Sequence, residues 1–238
     1  MKIDILTLFP DMFTGPFGTS MLKKAQDDGF VEINIHNLRD WATDKHKTVD
    51  DHPYGGGAGM VIRVDIVDRA LQNIKPKTKN QKTKTVLLSA KGELYTQQKA
   101  LEYSKLDHLI LIAGHYEGVD ERVAQNLIDE EISIGEYVLT GGEIPTMVIT
   151  DSVVRLIPGV LNPDSLLQES HSPISHSQPT THPPLSSPTT YNQQPTTNVE
   201  YPQYTRPEDY NGWKVPVVLL SGNHKEIEKW RKEKSSHP

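Results

Sequence analysis

Apolar and polar positions follow two different periods along roughly the first 160 residues of the chain. Short apolar runs, or a two-residue alternation, predict four strands, at Lys2–Leu8, Phe30–His36, Thr85–Ser89 and Leu109–Ala113. Apolar residues at helical spacing predict three helices, over Ser20–Asp28, Asp65–Ile74 and Glu143–Ile157. Strands and helices that alternate in this way are typical of an α/β fold with a mostly parallel sheet.

The composition changes abruptly after this region. Between His171 and Glu200 the chain carries six prolines and eleven serines or threonines, and Glu200 is the only Asp, Glu, Lys or Arg. Such a segment buries too little apolar surface to offset the entropy lost on ordering, so we expect a flexible linker. A short ordered stretch, Val215–Leu220, and a charged helix, His224–Lys234, are expected after it. The sequence therefore predicts three parts: a domain over 1–162, a linker over 163–200 and a small helical C-terminal segment over 201–238.

Composition also limits the classes of function. The chain has no cysteine, which excludes disulfides, thiolate metal sites and a thiol nucleophile. No apolar run has the length of a membrane span or of a signal peptide, so we expect a cytoplasmic protein without a membrane partner. The formal net charge of −6 argues mildly against nucleic acid, but Lys75–Lys84 and Lys225–Lys234 are local basic clusters that could contact phosphates. The simpler interpretation of these clusters is a solvated loop and a solvated helix face.

Three glycine-rich segments stand out, at Tyr54–Met60, Ala113–Arg122 and Ser133–Glu143, and the last two follow apolar runs. The first lacks the Lys-Ser/Thr ending of a phosphate-binding P-loop and the setting of a dinucleotide fingerprint. Each segment alone is explained equally well as a structural turn. Glycines at several strand ends of one sheet, however, allow a ligand to approach the backbone closely, and together they favour a ligand crevice there.

Eight motifs in order resemble those of the bacterial tRNA (guanine-N1)-methyltransferases of the SPOUT class. They are Leu6–Phe13, Pro53–Met60, Leu88–Gly92, Gly114–Arg122, Ile132–Pro145, Asp151–Leu161, Glu200–Pro207 and Pro216–Trp230. The resemblance implies a SPOUT-type sheet with a deep C-terminal trefoil knot, an exception to the rule that chains do not thread loops. It also implies a homodimer with shared active sites, which methylates N1 of guanosine 37 of tRNA, beside the anticodon.

The resemblance further implies S-adenosyl-L-methionine as the methyl donor, bound in the knot. The residues that match the family's donor pocket are Ala90, Gly92, Gly114, Tyr116, Glu117, Ile134, Gly135, Tyr137, Leu139, Gly141, Gly142 and Pro145. The family usually has proline at the position of Ala90, a minor departure because the expected contact there is mostly backbone. Magnesium dependence is also a family property, with Glu117 as the natural candidate, but no metal-ligand spacing in the sequence indicates a site.

Two residues are expected to carry the catalysis. Guanine N1 is protonated, so methyl transfer needs a base for that proton and a group that stabilises charge on O6. Arg155 matches the family residue for O6, although an ordinary helix pair with Asp151 is the alternative. A one-residue deletion aligns Glu169 with the family's catalytic aspartate. Ungapped counting places Ser170 there instead, and Asp164 is a weaker contender.

Two departures leave other functions open. The proline-rich insert is longer than the family's tether, and the C-terminal segment looks truncated, which affects the expected grip on tRNA. A SPOUT methyltransferase with another RNA target and a non-catalytic RNA- or cofactor-binding relative are therefore alternatives. The motifs Pro53–Met60 and Glu200–Pro207 belong to the guanine-N1 family in particular, and they favour the tRNA methyltransferase.

Overall fold

A computed structural model describes residues 1–76, 80–162, 165 and 201–235. The chain divides into two compact units, Met1–Leu161 and Asn162–Pro238. Most of the segment expected to be a linker lies outside the described residues. No helix among the described residues is long and apolar enough to cross a membrane.

The first unit is built on a five-stranded sheet in which all pairings are parallel. Its strands, numbered with the others in chain order, are β1 (Lys2–Thr7), β2 (Glu32–Asn37), β5 (Thr83–Leu94), β6 (His108–Ala113) and β7 (Glu130–Ser133). They lie in the order β2-β1-β6-β5-β7, so the carboxyl ends of β5, β6 and β7 meet at one edge. A separate antiparallel pair consists of β3 (Asp50–Asp51) and β4 (Val61–Ile62).

The first unit also contains six helices, which lie between the strands or after the last strand in chain order. They are α1 (Thr14–Phe17), α2 (Ser20–Asp27), α3 (Val64–Ile74), α4 (Gln97–Tyr103), α5 (Glu121–Asn126) and α6 (Glu143–Val154). Two 3₁₀ turns, Pro10–Phe13 and Leu38–Trp41, complete the unit. Buried residues of α2, α4 and α6 belong to the core on one face of the sheet, and those of α3 and α5 to the core on the other face. The domain therefore has three layers, helix, sheet and helix.

The central strand β6 shows why the sheet is parallel and buried on both sides. All six of its residues are buried. Leu109 and Leu111 belong to one core and Ile110 and Ile112 to the other, because successive side chains of a strand point to opposite faces. A strand covered on both faces needs a continuous apolar run, which is the pattern that predicted it.

The α/β class, the mostly parallel sheet and all seven predicted elements of the first unit are confirmed, with shifted ends. The main difference is β5, which continues from Ser89 to Leu94 through polar residues because it pairs again with β7 after a register shift. Helix α6 ends at Val154, three residues before the predicted end. The short helices α4 and α5 were not predicted, although Thr96 and Asp120 cap them with side-chain hydrogen bonds.

The described part of the second unit contains an antiparallel hairpin and two helices. The hairpin consists of β8 (Asp209–Tyr210) and β9 (Trp213–Lys214), and the helices are α7 (Val217–Leu220) and α8 (His224–Ser235). Within this unit the Arg231 guanidinium lies 4.9 Å from the centre of the Tyr201 ring. The side chains of α8 are mostly exposed and charged, as expected for the basic C-terminal cluster.

Candidate active site

A cavity of about 470 Å³ opens where β5, β6 and β7 end. Its wall is formed by residues 87–91 of β5, residues 114–119 after β6 together with Glu121 and Ala124 of α5, and residues 131–135 and 137–142 from the end of β7 onward with Pro145 of α6. This size is in the range of pockets that hold small organic ligands. The carboxyl edge of a parallel sheet is also the usual place for a ligand crevice.

Eleven of the twelve residues expected to contact the methyl donor line this cavity. They are Ala90, Gly114, Tyr116, Glu117, Ile134, Gly135, Tyr137, Leu139, Gly141, Gly142 and Pro145. Gly92 does not line it, because it lies in the second half of β5. A Cβ atom on Gly92 would be 2.5 Å from the backbone of Glu131 and Ile132, so glycine there permits close contact between β5 and β7.

Two glycine loops cross at the cavity with no space for side chains. Gly142 N donates a hydrogen bond of 2.6 Å to Gly114 O, and a Cβ atom on Gly142 would be 2.7 Å from Gly114 N. A Cβ atom on Gly141 would be 2.3 Å from both Glu143 Oε2 and His115 Nδ1. These glycines are therefore required by the close approach of one loop to the other.

The segment Tyr54–Met60 packs against the same cavity loop. Its four glycines all have positive φ, a conformation that other residues rarely adopt. Glu117 N donates to Met60 O at 3.1 Å, and a Cβ atom on Gly59 would lie 2.4 Å from the Glu117 side chain. The segment is thus a turn that contacts Glu117 but does not itself line the cavity.

Charged residues on the cavity wall are mostly acidic. Glu117, Glu121 and Glu131 line the cavity together with a single lysine, Lys91. Lys91 Nζ lies 2.5 Å from Glu121 and 3.8 Å from Glu131, and the hydrogen bond to Glu121 raises the pKa of Lys91. An acidic wall favours a ligand that carries positive charge. Sequence reasoning missed Lys91, Glu121 and Glu131, although each is next to or within a quoted motif.

Metal coordination has no candidate cluster in the part of the chain that the structure describes. No group of three or more His, Cys, Asp or Glu side chains there could hold a metal ion. The magnesium ion implied by the resemblance therefore has no ligand set among these residues.

Two tyrosines provide aromatic surface at the cavity. The Tyr137 ring lies over Gly135, where a Cβ atom would be 2.3 Å from the ring, and its hydroxyl donates to Ile134 O at 3.3 Å. Tyr116 has a φ of 59° and receives a hydrogen bond of 3.5 Å from Arg39. Both rings are partly exposed, which suits contact with a planar heterocycle.

Of the two predicted catalytic residues, Arg155 is described, and it does not line the cavity. Arg155 directly follows α6, whose first turn begins beside the cavity at Gly142, and its N–H donates to Asp151 O at 3.1 Å. A helix of 12 residues spans about 18 Å, so Arg155 is at the end of α6 that is distant from the cavity. Glu169, Asp164 and Ser170 lie outside the described residues.

Comparison with known proteins gives a consistent match over nearly the whole chain. Residues 1–237 match the family described as tRNA (Guanine-1)-methyltransferase TrmD. A tRNA (guanine-N(1)-)-methyltransferase of Dictyoglomus turgidum is 51% identical over 236 residues, which cover 99% of this chain and 85% of that protein. Proteins of the same name from Bacillus cereus and Bacillus anthracis are also 51% identical, over 99% of this chain and 87% of theirs.

Proposed function

This chain belongs to the tRNA (guanine-1)-methyltransferase family, and on that premise we propose that it methylates N1 of guanosine 37 in tRNA, with S-adenosylmethionine as the donor. The observation that carries the proposal is the 51% identity to enzymes of that name over 99% of the chain. The cavity at the carboxyl edge of the sheet supports it independently, because eleven residues of the family's donor pocket converge there.

The residues of the cavity fit a donor of this chemistry. S-adenosylmethionine supplies, when bound, an electrophilic methyl group on a positively charged sulfur. Glu117, Glu121 and Glu131 give the wall the opposite charge, and Tyr116 and Tyr137 offer surface for a flat ring. The glycines at the loop crossing leave the backbone open to close approach. The described residues contain no cluster that could hold a magnesium ion, so the proposed reaction assigns no role to this metal.

The reaction requires residues of the chain to accept the N1 proton and to stabilise the negative charge that develops on O6. As the bond between the methyl group and N1 forms and the bond to sulfur breaks, the N1 proton must pass to a base. We assign the base to Glu169 and the stabilisation of negative charge on O6 to the Arg155 guanidinium, whose forked donors suit a guanine edge. Asp164 is the alternative base.

A homodimer is part of the proposal because α6 carries apolar side chains on its exposed side as well as on its buried side. Its buried residues include Ile149 and Val153, yet Ile144 and Val148 on the same helix are 47% and 43% exposed. Met12, in the 3₁₀ turn that contacts α6, is 44% exposed as well. Helices with apolar residues on several sides are normally buried, and large exposed apolar patches mark interaction surfaces. A second copy of the chain would cover this face.

The position of Arg155 supports an active site that is shared between two chains. Because Arg155 is about 18 Å along α6 from the helix start at the cavity, it would reach a bound guanine more readily in the partner's cavity. The trefoil knot is proposed from the family alone, and the close contact between Gly114 and Gly142 is compatible with it.

Mass spectrometry of tRNA tests the function directly. Unmodified tRNA incubated with the protein and S-adenosylmethionine should contain 1-methylguanosine at position 37, and a tRNA with adenosine at that position should not be methylated. Methylation of another nucleotide would indicate a different RNA target. Absence of any methylation, with the donor bound, would indicate a non-catalytic relative.

Mixed dimers test whether the site is shared. Arg155→Ala subunits are mixed with Gly135→Val subunits. The valine side chain would occupy space in the donor cavity, and its nearest neighbour would be the Tyr137 side chain and not the backbone. If Arg155 serves the partner's cavity, the heterodimer has one intact site and the mixture recovers about one quarter of wild-type activity. No recovery above the two separate variants would show that Arg155 acts in its own chain.

A further inference from the structure

A buried carboxylate lies directly behind the cavity, outside the residues assigned to the reaction. Glu143 is the first residue of α6, and its side chain is only 1% exposed. Its Oε1 accepts a hydrogen bond of 2.9 Å from Thr7 Oγ1, and its Oε2 lies 3.5 Å from His115 Nδ1. Burial of an ionised carboxylate is unfavourable unless its oxygens are paired or hydrogen-bonded, so these contacts determine where Glu143 lies.

The contacts of Glu143 join three elements of the sheet edge. Thr7 is the last residue of β1, and its hydroxyl is itself oriented by a hydrogen bond of 2.9 Å from Phe9 N. His115 is in the loop after β6, the strand next to β1, with its ring 4.6 Å from that of Phe9. One carboxylate therefore connects the ends of two adjacent strands to the first turn of α6.

The loop that carries the donor-pocket glycines is packed against this carboxylate. A Cβ atom on Gly141 would lie 2.3 Å from Glu143 Oε2 and equally close to His115 Nδ1. His115 and Gly141 also form a β-bridge, and Gly142 N donates to Gly114 O. The backbone at Gly141 thus lies directly against the carboxylate and the imidazole.

We infer that Glu143 is a positioning residue, which holds the loop at Gly141 and the loop at His115 in the arrangement that receives the donor. The inference rests on the proposed function, because it concerns the donor cavity of that reaction. His115 Nδ1 is buried and has no hydrogen-bond partner among the described residues. A proton on Nδ1 and a movement of about half an ångström would give it a charge-assisted hydrogen bond to Glu143.

This role predicts an effect on donor affinity more than on the chemical step. Without the carboxylate, the two loops spend less time in the receptive arrangement, and the apparent dissociation constant rises by the inverse of the populated fraction. Once the donor is bound, the loops are ordered by the donor itself, so turnover at saturation changes little. Loss of one charged, buried contact corresponds to a rise of about tenfold in the dissociation constant.

The test measures the dissociation constant of S-adenosylmethionine by calorimetry, together with kcat and KM for the donor. Glu143→Gln should raise Kd and KM about tenfold and change kcat less than about threefold. Glu136→Gln is the matched control, because Glu136 is a carboxylate in the same loop that does not line the cavity. It should bind the donor like the wild type.

A second pair of variants decides the outcome if Glu143→Gln does not fold. Thr7→Val removes the hydroxyl that donates to Glu143, and Thr7→Ser keeps it, so the valine variant should show the weaker binding and the serine variant should restore it. Wild-type donor affinity in Glu143→Gln, or in a folded Thr7→Val, overturns the inference and leaves the proposed function intact. If the wild-type chain itself does not bind S-adenosylmethionine, the proposed function fails, and the inference fails with it.

Discussion

Replacement of Asp4 by asparagine should destabilise the sheet far more than the same change at a surface carboxylate. Asp4 lies in β1 with its side chain fully buried. Its Oδ1 accepts a hydrogen bond of 2.8 Å from His36 Nε2 in β2, and its Oδ2 accepts one of 2.6 Å from His108 Nε2 in β6. Lys2 Nζ lies 2.8 Å from the same Oδ2. One carboxylate therefore links three neighbouring strands.

The expected loss of stability follows from the hydrogen-bond donors that the substitution leaves without an acceptor. The amide side chain introduced by Asp4→Asn would present an NH₂ group to at least one histidine N–H, so a buried donor would lose its acceptor. Loss of a buried hydrogen bond to a charged group costs about 1.5–3 kcal/mol. In a domain of this size each kcal/mol lowers Tm by about 2–4 °C, so Asp4→Asn should melt about 3–12 °C below the wild type. Asp27→Asn, which removes an exposed i,i+4 pair with Lys23, should melt close to the wild type.

Urea denaturation provides the assay. The Trp41 ring is 5.9 Å from that of His36, and a background in which Trp213 and Trp230 are replaced by phenylalanine leaves Trp41 as the only tryptophan reporter. A free energy of unfolding for Asp4→Asn within about 1 kcal/mol of the Asp27→Asn value would contradict this prediction, because a buried charge with hydrogen bonds would then contribute no more than a surface pair.

The pH dependence gives a second check on Asp4. Burial by itself raises the pKa of a carboxyl group, but the hydrogen bonds from His108, His36 and Lys2 outweigh it and hold the pKa of Asp4 well below its usual range. The unfolded chain therefore binds the Asp4 proton more readily than the folded chain, and stability is lost as pH falls. The contribution of Asp4 is fully present above the usual carboxyl value of about 3.9 and decreases below it. Comparison of wild type and Asp4→Asn should show a constant difference from this group at about pH 5–7 that narrows only below about pH 4.

Two further predictions concern the reaction and the RNA. If Glu169 accepts the N1 proton, Glu169→Gln should slow methyl transfer by about 10²–10⁴-fold with little change in donor affinity, whereas Asp164→Asn should be milder; single-turnover kinetics decide, and the reverse order would identify Asp164 as the base. If the exposed face of α8 contacts tRNA phosphates, Lys225→Ala should weaken tRNA binding and reduce the salt dependence of log K by about one, and an unchanged slope in a filter-binding titration would exclude that contact.

Much of the first unit could be predicted because its patterns are local. The continuous apolar run Leu109–Ala113 and the helical spacing of Asp65–Ile74 report burial on two faces and on one face, and both elements form where the pattern indicates. The continuation of β5 past Ser89 could not be predicted in this way. Its residues are polar and include Gly92, and they become strand only because the backbone of β7 lies alongside.

The candidate site, too, was predictable in part from the sequence. Eleven of the twelve residues that the motifs predicted for donor binding line one cavity, since a motif records a whole loop and not a periodicity. Motif order did not indicate that Arg155 is at the far end of α6 from that cavity. The predicted helix had a similar length, but only the folded chain shows that its first turn begins at the cavity and that its last residue therefore lies away from it.

The alternation of strands and helices and the position of the glycine-rich loops can be predicted from the amino-acid sequence, because each depends on residues close together in the chain. Which charged residues are buried depends instead on contacts between distant parts of the chain. Asp4 and Glu143 look like ordinary surface carboxylates in sequence, yet each is buried and held by partners more than 25 residues away. The cost of removing a charge from water can be offset only by partners that the fold brings together, so no local pattern can indicate such a site.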